Sequence, residues 1–321
     1  MILVIGTTTL DLYVSGIEQM PEFRGDEFTV DSLVYCDRPL RMMPGGNGAN
    51  TAFVLGSLGA PVSLCSGIGQ DTPGDLLVRW LESVDVDLEN LIRSDQAQTS
   101  STTMIADAQR NRLAFHHHGA SGCFGPDDLS ENTLKKTDIV LITGYPLLTK
   151  WRPDGVRALL RKARASGITT ALDIGPAVGE PAGLSELESA AADLDILLCN
   201  EHELAELVDS EDIEESIHKV SEAGVGTVVV KQGRQGAVAG QRDRQGLLKI
   251  AGFPGDTDLT VGAGDAFNAG VLLGTHQGRD LGESLQFANA LAALVVASGR
   301  GVLGCPLLRE IRQVMNAKSG G

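Results

Sequence analysis

The 321-residue chain is poor in aromatic residues, at 4%, and in basic ones, with 26 Lys and Arg against 42 Asp and Glu. So few aromatics exclude the stacking platforms that hold single-stranded nucleic acid. A net charge of −16 excludes binding to nucleic acid or an anionic membrane by bulk electrostatics, which needs clustered Lys and Arg. Cysteine is scarce: Cys36, Cys65, Cys123, Cys199 and Cys305 are scattered, odd in number and without CxxC spacing. That usage implies reduced thiols and a cytoplasmic protein, not a disulfide framework. No apolar run approaches the ~18–20 residues of a membrane span. The best helical candidate, 281–298, carries Glu283, Ser284, Gln286 and Asn289. The apolar run 1–6 has no basic residue before it and soon meets Asp11, so it reads as a buried strand and not a signal peptide. A Walker loop, GxxxxGK[ST], is absent, and no linker or repeat divides the chain.

Glycine, by contrast, is abundant: 39 residues, well above the usual ~7%. Without a collagen-like period, that points to tight turns and places where backbone meets a ligand. Hydrophobic residues, at 42%, suffice for a large core. Strand-like apolar runs fall at 2–5, 62–66, 139–143, 169–173, 196–199 and 227–231. Continuous runs of this kind suit parallel strands covered on both faces. Helical patterns lie between them at 49–58, 74–83, 153–165, 201–208 and 213–223, and mostly helical sequence follows Gly262, at 263–274, 281–298 and 307–316. The alternation predicts one α/β domain over residues 1–321, with helices on both faces of a mostly parallel sheet. Two segments break the rhythm. Residues 12–43 hold Val14, 28–30 and 33–35 with alternating polar neighbours, and 99–118 reads as a hairpin, 102–105 with 113–116, around a polar turn at 107–112. Together they predict a small, separate β-sheet.

The one GxGxxG match, 299–304, follows a predicted helix instead of a strand, so it reads as a helix cap and loop. A better anion site is LTVGAGDAFNAG at 259–270. Gly262, Ala263 and Gly264 precede Asp265 and a helical run. At such a junction free backbone N–H groups and the helix dipole attract an anion without any Lys. An ordinary capped helix start explains the same residues equally well. The triplet His116, His117 and His118 makes a poor metal site, because neighbours on a strand point to opposite faces and the ligand spacing is absent.

The segment 256–265, together with GGNGANTA at 45–52, resembles the two signatures of the ribokinase-like, or PfkB, family of carbohydrate kinases. Four more elements follow the family order: Gly6 to Asp11 after the first strand, GIGQDTPG at 67–74, NEHE at 200–203 and KQGRQG at 231–236. The resemblance implies a three-layer α/β/α sandwich with a small β-sheet lid, the lid coming from about 12–43 and 99–118. It implies transfer of the γ-phosphoryl group of ATP to a sugar hydroxyl, usually a hydroxymethyl. Asp265 is then the base, and the backbone of Gly262, Ala263 and Gly264 holds the developing charge. A carboxylate of low basicity suits a loose transition state in which positioning matters most.

The same resemblance places Asp11, Gly45, Gly46, Asn47 and Asn50 on the sugar, with His117 reaching it from the lid. Lys231, Gly233, Gly236, Thr260 and Asn289 fall on the ATP side. It also implies that Asn200 and Glu203 organise magnesium through water, although their spacing is equally that of a helix capping box. A homodimer through the lid is implied as well. Three departures bear on the substrate. Leu259 stands where the family commonly has Asp, a residue that helps hold a monovalent cation, so the resemblance does not by itself extend to potassium. The stretch 173–177 lacks the Arg found in many sugar kinases, and the 45–52 box lacks the Lys of ribose kinases. The alternatives are a nucleoside kinase and a catalytically silent sugar-binding relative.

Overall fold

Apolar runs without alternation need cover on both faces, and the six predicted ones lie side by side in one sheet. The computed structural model describes residues 1–20, 34–109, 111–176, 180–254 and 260–319. Its strands are β1 (Ile2–Ile5), β2 (Thr9–Ile17), β3 (Arg41–Gly45), β4 (Val62–Gly69), β5 (Leu91–Ser94), β6 (Ser100–Asp107), β7 (Arg112–His117), β8 (Ile139–Thr143), β9 (Thr169–Asp173), β10 (Ile196–Asn200), β11 (Thr227–Lys231), β12 (Gly236–Gln241) and β13 (Leu247–Ala251). The helices are α1 (Asn47–Ser57), α2 (Thr72–Glu82), α3 (Glu131–Lys135), α4 (Asp154–Ala165), α5 (Leu184–Ala191), α6 (Glu201–Val208), α7 (Ile213–Glu222), α8 (Ala263–His276), α9 (Leu281–Ser298) and α10 (Leu308–Ser319).

The large sheet has the order β13-β12-β11-β10-β9-β8-β1-β4-β5. Strands β11 to β5 in that order are parallel, and β12 and β13 add an antiparallel hairpin at one edge. Alternate residues of each strand face opposite cores. Ile2, Val4, Leu141 and Leu198 pack with α1, α8, α9 and α10. Leu3, Ile5, Val140, Ile142 and Leu197 pack with α4 to α7. The result is the expected α/β/α sandwich. In α4 the predicted stripe Val156, Leu159, Leu160 and Ala163 is the buried face.

Strands β5, β12 and β13 and helices α3 and α5 escaped the sequence pattern. β12 reads GAVAGQ, too small and glycine-rich for an apolar run, and β13 (LLKIA) is a short edge strand with no fully buried residue. Helix α9 is long and apolar enough by composition to cross a membrane. It packs along α8 and α10 and carries Leu285, Phe287, Leu291 and Val295 in the core.

The second, smaller sheet, the one expected as a lid, has the order β3-β2-β6-β7. The hairpin β6–β7 pairs residues 101–106 with 117–112, as its alternation predicted. The predicted segments 28–30 and Leu33 lie outside the described residues, as do Arg110, Ala177, Asp256, Asp258 and Leu259. One expectation changes here. Asp11, expected just after the C-terminal end of the first buried strand, lies inside a second strand, β2, in the small sheet. The chain leaves the large sheet after Ile5, and the period-2 pattern of β2 buries Thr9, Asp11, Tyr13, Ser15 and Ile17 on one face.

Candidate active site

In an open parallel sheet, ligands bind outside the carboxyl ends of the strands. Here four neighbouring strands each end on a polar residue: Thr143, Asp173, Asn200 and Lys231 close β8, β9, β10 and β11. Their register sets Thr143 beside Asp173 and Asn200 beside Lys231. Thr143 Oγ1 donates to Asp173 Oδ2 at 2.8 Å, and Lys231 Nζ pairs with Asp173 Oδ1 at 2.6 Å. Lys231 also donates to Asn268 Oδ1 at 3.3 Å. Burial opposes the Lys231 charge, but Asp173 and Glu203 outweigh it and hold the ammonium above its ordinary range.

Helix α8 starts over this row. Gly262 caps it with φ 80°, a left-handed geometry that favours glycine. Asp265 sits in the first turn and is 8% exposed. Its carboxylate accepts from Asn50 Nδ2 at 2.8 Å and Asn47 Nδ2 at 3.2 Å. Burial pushes its pKa up to about 7; the Asn50 bond opposes that shift, and the charge of Asp173 adds to it. Asn47 and Asn50, expected on the sugar side, thus donate to the candidate base. They stand three apart on α1 and so share one face. Within the expected anion hole, the Ala263 N–H donates to the Thr260 carbonyl at 3.2 Å. That bond engages one of the three expected donors. Asn50 Oδ1 and Asn268 Nδ2 are buried beside Asp265 with no hydrogen-bond partner among the described residues. Such orphans mark a place where a polar ligand fits.

All five residues expected on the ATP side, Lys231, Gly233, Gly236, Thr260 and Asn289, line one cavity of about 200 Å³. Ala263 and Gly264 lie at one end, and Phe253, Phe267 and Val296 form apolar walls. Asn289 donates to the Ile250 carbonyl at 3.2 Å, which fixes its amide against β13. Asn200 and Glu203 form the capping box in full: each side chain accepts the other's backbone N–H at 2.8 Å. Burial raises the Glu203 pKa, and Lys231 counters it. Asp173, Asn200 and Glu203 offer oxygen donors of the kind magnesium takes. Among the described residues no group of three or more His, Cys, Asp or Glu could hold a metal directly.

On the lid, Asp11 is 7% exposed and burial pushes its pKa up to about 7, against a hydrogen bond from Thr102. A Cβ on Gly45 would overlap the Asp11 carboxylate. Replacing Gly45 by Ala is therefore expected to weaken sugar binding by about tenfold or more while leaving the KM for ATP unchanged, since overpacking typically costs ~1–3 kcal/mol. Gly46 caps α1 and bridges lid and body. His117 is corrected. It pairs with Ser101, in the row of Leu10 and Pro44, on the face opposite Asp11. His116, one residue earlier, shares the row of Thr102 and Asp11. A one-residue step on a strand moves a side chain to the other face.

The chain matches the pfkB family of carbohydrate kinases over residues 17–305. It is a member of that family. Among its relatives is the ATP-dependent ribose-1-phosphate kinase of Halopiger xanaduensis, 30% identical over 87% of this chain and 86% of that one. The nucleoside kinase of Methanothermobacter thermautotrophicus is 28% identical over 92% and 89% of the two chains. Ribokinase from Arabidopsis thaliana, solved with ribose and ATP, superposes with a TM-score of 0.81 at 23% identity, covering 98% of both chains. This pfkB member is thus a carbohydrate kinase with the ribokinase fold.

Sequence reasoning missed Asp173, Thr143 and Asn268 as site residues of this pfkB kinase. Asp173 had a visible signal: an ionised side chain closing an otherwise buried strand, TTALD. Asn268 follows Asp265 by one helical step of three. Nothing in the sequence links either one to Lys231, which is far away along the chain.

Proposed function

We propose that this kinase transfers the γ-phosphoryl group of ATP to a hydroxyl, most simply a hydroxymethyl, of a sugar or sugar-containing small molecule. The observation that carries this reading is the single cavity that joins the five nucleotide-side residues to the start of α8. The acceptor hydroxyl gives its proton to Asp265 as its oxygen bonds to the γ-phosphorus and ADP leaves. Gly262 and Gly264 supply backbone N–H groups to the developing charge, and Lys231 supplies a cation from the other side. Asn200, Glu203 and Asp173 would hold magnesium through water. When bound, that ion neutralises phosphate charge. Asp11 accepts sugar hydroxyls from the lid, whose closure excludes water as a competing acceptor.

An ATP-consumption screen tests this reading. It covers neutral pentoses, hexoses, keto-sugar acids, nucleosides and ribose 1-phosphate, the last two because relatives act on them. Turnover with at least one acceptor is expected. ATP and sugar binding without turnover would instead support a silent relative. All five cysteines are free, in keeping with a cytoplasmic setting.

The outer face of the lid carries Met42, Leu113 and Phe115, which are 56%, 46% and 53% exposed. Leu12, Val14 and Ile105 lie in the same cross-strand rows. We infer that a second copy of the chain covers this apolar face, giving a homodimer. Light scattering should give twice the chain mass, and Met42→Glu with Phe115→Glu should give a monomer.

A further inference from the structure

One face of β3 carries Arg41, Met43 and Gly45, set opposite Tyr13, Asp11 and Thr9 of β2. Gly45 abuts the Asp11 carboxylate. Its two neighbours on that face reach the body instead. Met43 and Tyr13 are buried with Ala106 in a small apolar cluster that Val261 and Leu303 close from the body side. A Cβ on Gly301 would lie 3.0 Å from Met43 Sδ, and a Cβ on Gly262 would lie 2.8 Å from Val302 Cγ1. Arg41 sits over the Tyr13 ring, 5.7 Å from its centroid, and its Nη1 donates to the Gly299 carbonyl. Gly299 caps the C-terminus of α9 with φ 61°. Carbonyls there lack partners within the helix, and the helix dipole favours a cation beside them. The segment 299–304 is thus more than the cap and loop its sequence suggests. It meets the lid through Arg41 and Met43, and the start of α8 through Val302. It also continues α9, whose Asn289, Ala292, Ala293 and Val296 line the nucleotide-side cavity.

We propose, on the sugar-kinase reading above, that this seam couples the binding of the two substrates, with Arg41 as the positioning residue that joins lid to body. The sugar seats the lid through Asp11. ATP seats the end of α9 and the start of α8. Each ligand alone orders one side of the seam. The Arg41–Gly299 bond needs both sides in place, so either ligand prepares the site for the other. Such coupling is reciprocal: the sugar tightens ATP binding by the same factor as ATP tightens sugar binding. Arg41 does not line the nucleotide-side cavity, and Met43 stands between it and Gly45. Its effect therefore runs through the seam and not through contact with either substrate.

Calorimetry on the full chain tests this, with the best acceptor from the screen and the magnesium complex of the non-hydrolysable analogue AMP-PNP as probes. In the wild type each probe should lower the Kd of the other by about fivefold or more, equally in both directions. Arg41→Met keeps the stem over Tyr13 but cannot donate. It should bring that factor to within about twofold of unity, while each probe alone keeps its Kd within about threefold. Arg38→Met, at an exposed arginine on the same cavity as Arg41 and Gly299, should keep the wild-type factor. A wild type without coupling, or an Arg41→Met chain with the wild-type factor or a larger one, overturns the seam and leaves the kinase reading intact. An equal loss in Arg38→Met would trace the coupling to local charge and also overturns it. A wild type that neither phosphorylates nor binds any acceptor overturns both.

Discussion

Replacing Asp265 by Asn is expected to lower kcat by about 10³-fold, within the ~10²–10⁴ that a positioned base contributes. The amide fills the same space and still accepts from Asn50, so the ATP and sugar Kd values should stay within a few-fold. What it loses is the ability to take the hydroxyl proton. A variant with near wild-type kcat would remove Asp265 from the reaction. Stability should move the other way. Burial raises the Asp265 pKa from 3.8 to about 7, so the folded state binds this proton more tightly than the unfolded chain. The stability linked to it is fully present below about pH 4 and lost as pH rises through 7. Asn carries no such penalty. At pH 8 the variant should therefore resist urea better than the wild type, and the gap should close toward pH 4.

The same physics sets the pH–rate profile. Asp11 and Asp265 are both raised to about 7, and both act as carboxylates. Log kcat/KM for the sugar should fall below pH 7 with a slope approaching two. Asp11→Asn, though slower, should reduce that slope to one. An acid limb centred near pH 4 in the wild type would mean that neither group titrates as its burial implies.

Much of this was legible in the chain. The six continuous apolar runs became strands of the large sheet, four of them with the predicted bounds, because a strand buried on both faces advertises itself in composition alone. The start of α8 was legible for a related reason. A glycine-rich helix start has few alternatives, and Gly262, Gly264 and Asp265 stand in one short segment. The lid was readable as alternation but not as orientation. Choosing between His116 and His117 needs the register of β7 against β6, a long-range pairing that no local pattern contains. Asn47 and Asn50 show a similar limit. Nothing in the sequence ties them to Asp265; only the packing of α1 against α8 turns them toward it.

Lys231 makes the sharpest test of how charge is arranged at this site. Its ammonium is 14% exposed and pairs with Asp173, which is 1% exposed. Lys231→Met should cost about 3–5 kcal/mol in stability, the usual consequence of leaving a buried charge without its partner. It should also lower kcat about 10²–10³-fold, the scale for losing one donor at a developing oxyanion. A Cβ placed on Gly264 would sit 3.8 Å from Nζ, so the cation borders the helix start proposed to receive the phosphoryl group. The two losses have separate origins and can be separated. Adding Asp173→Asn removes the orphaned charge while Thr143 can still donate to the amide oxygen. The double variant should regain most of the stability by urea titration, yet remain slow. Recovery of both would make Lys231 a structural counter-ion only. Recovery of neither would mean that Asp173 carries a role of its own, as expected if it helps hold magnesium, and a weakened Mg²⁺ dependence of ATP binding would then locate it.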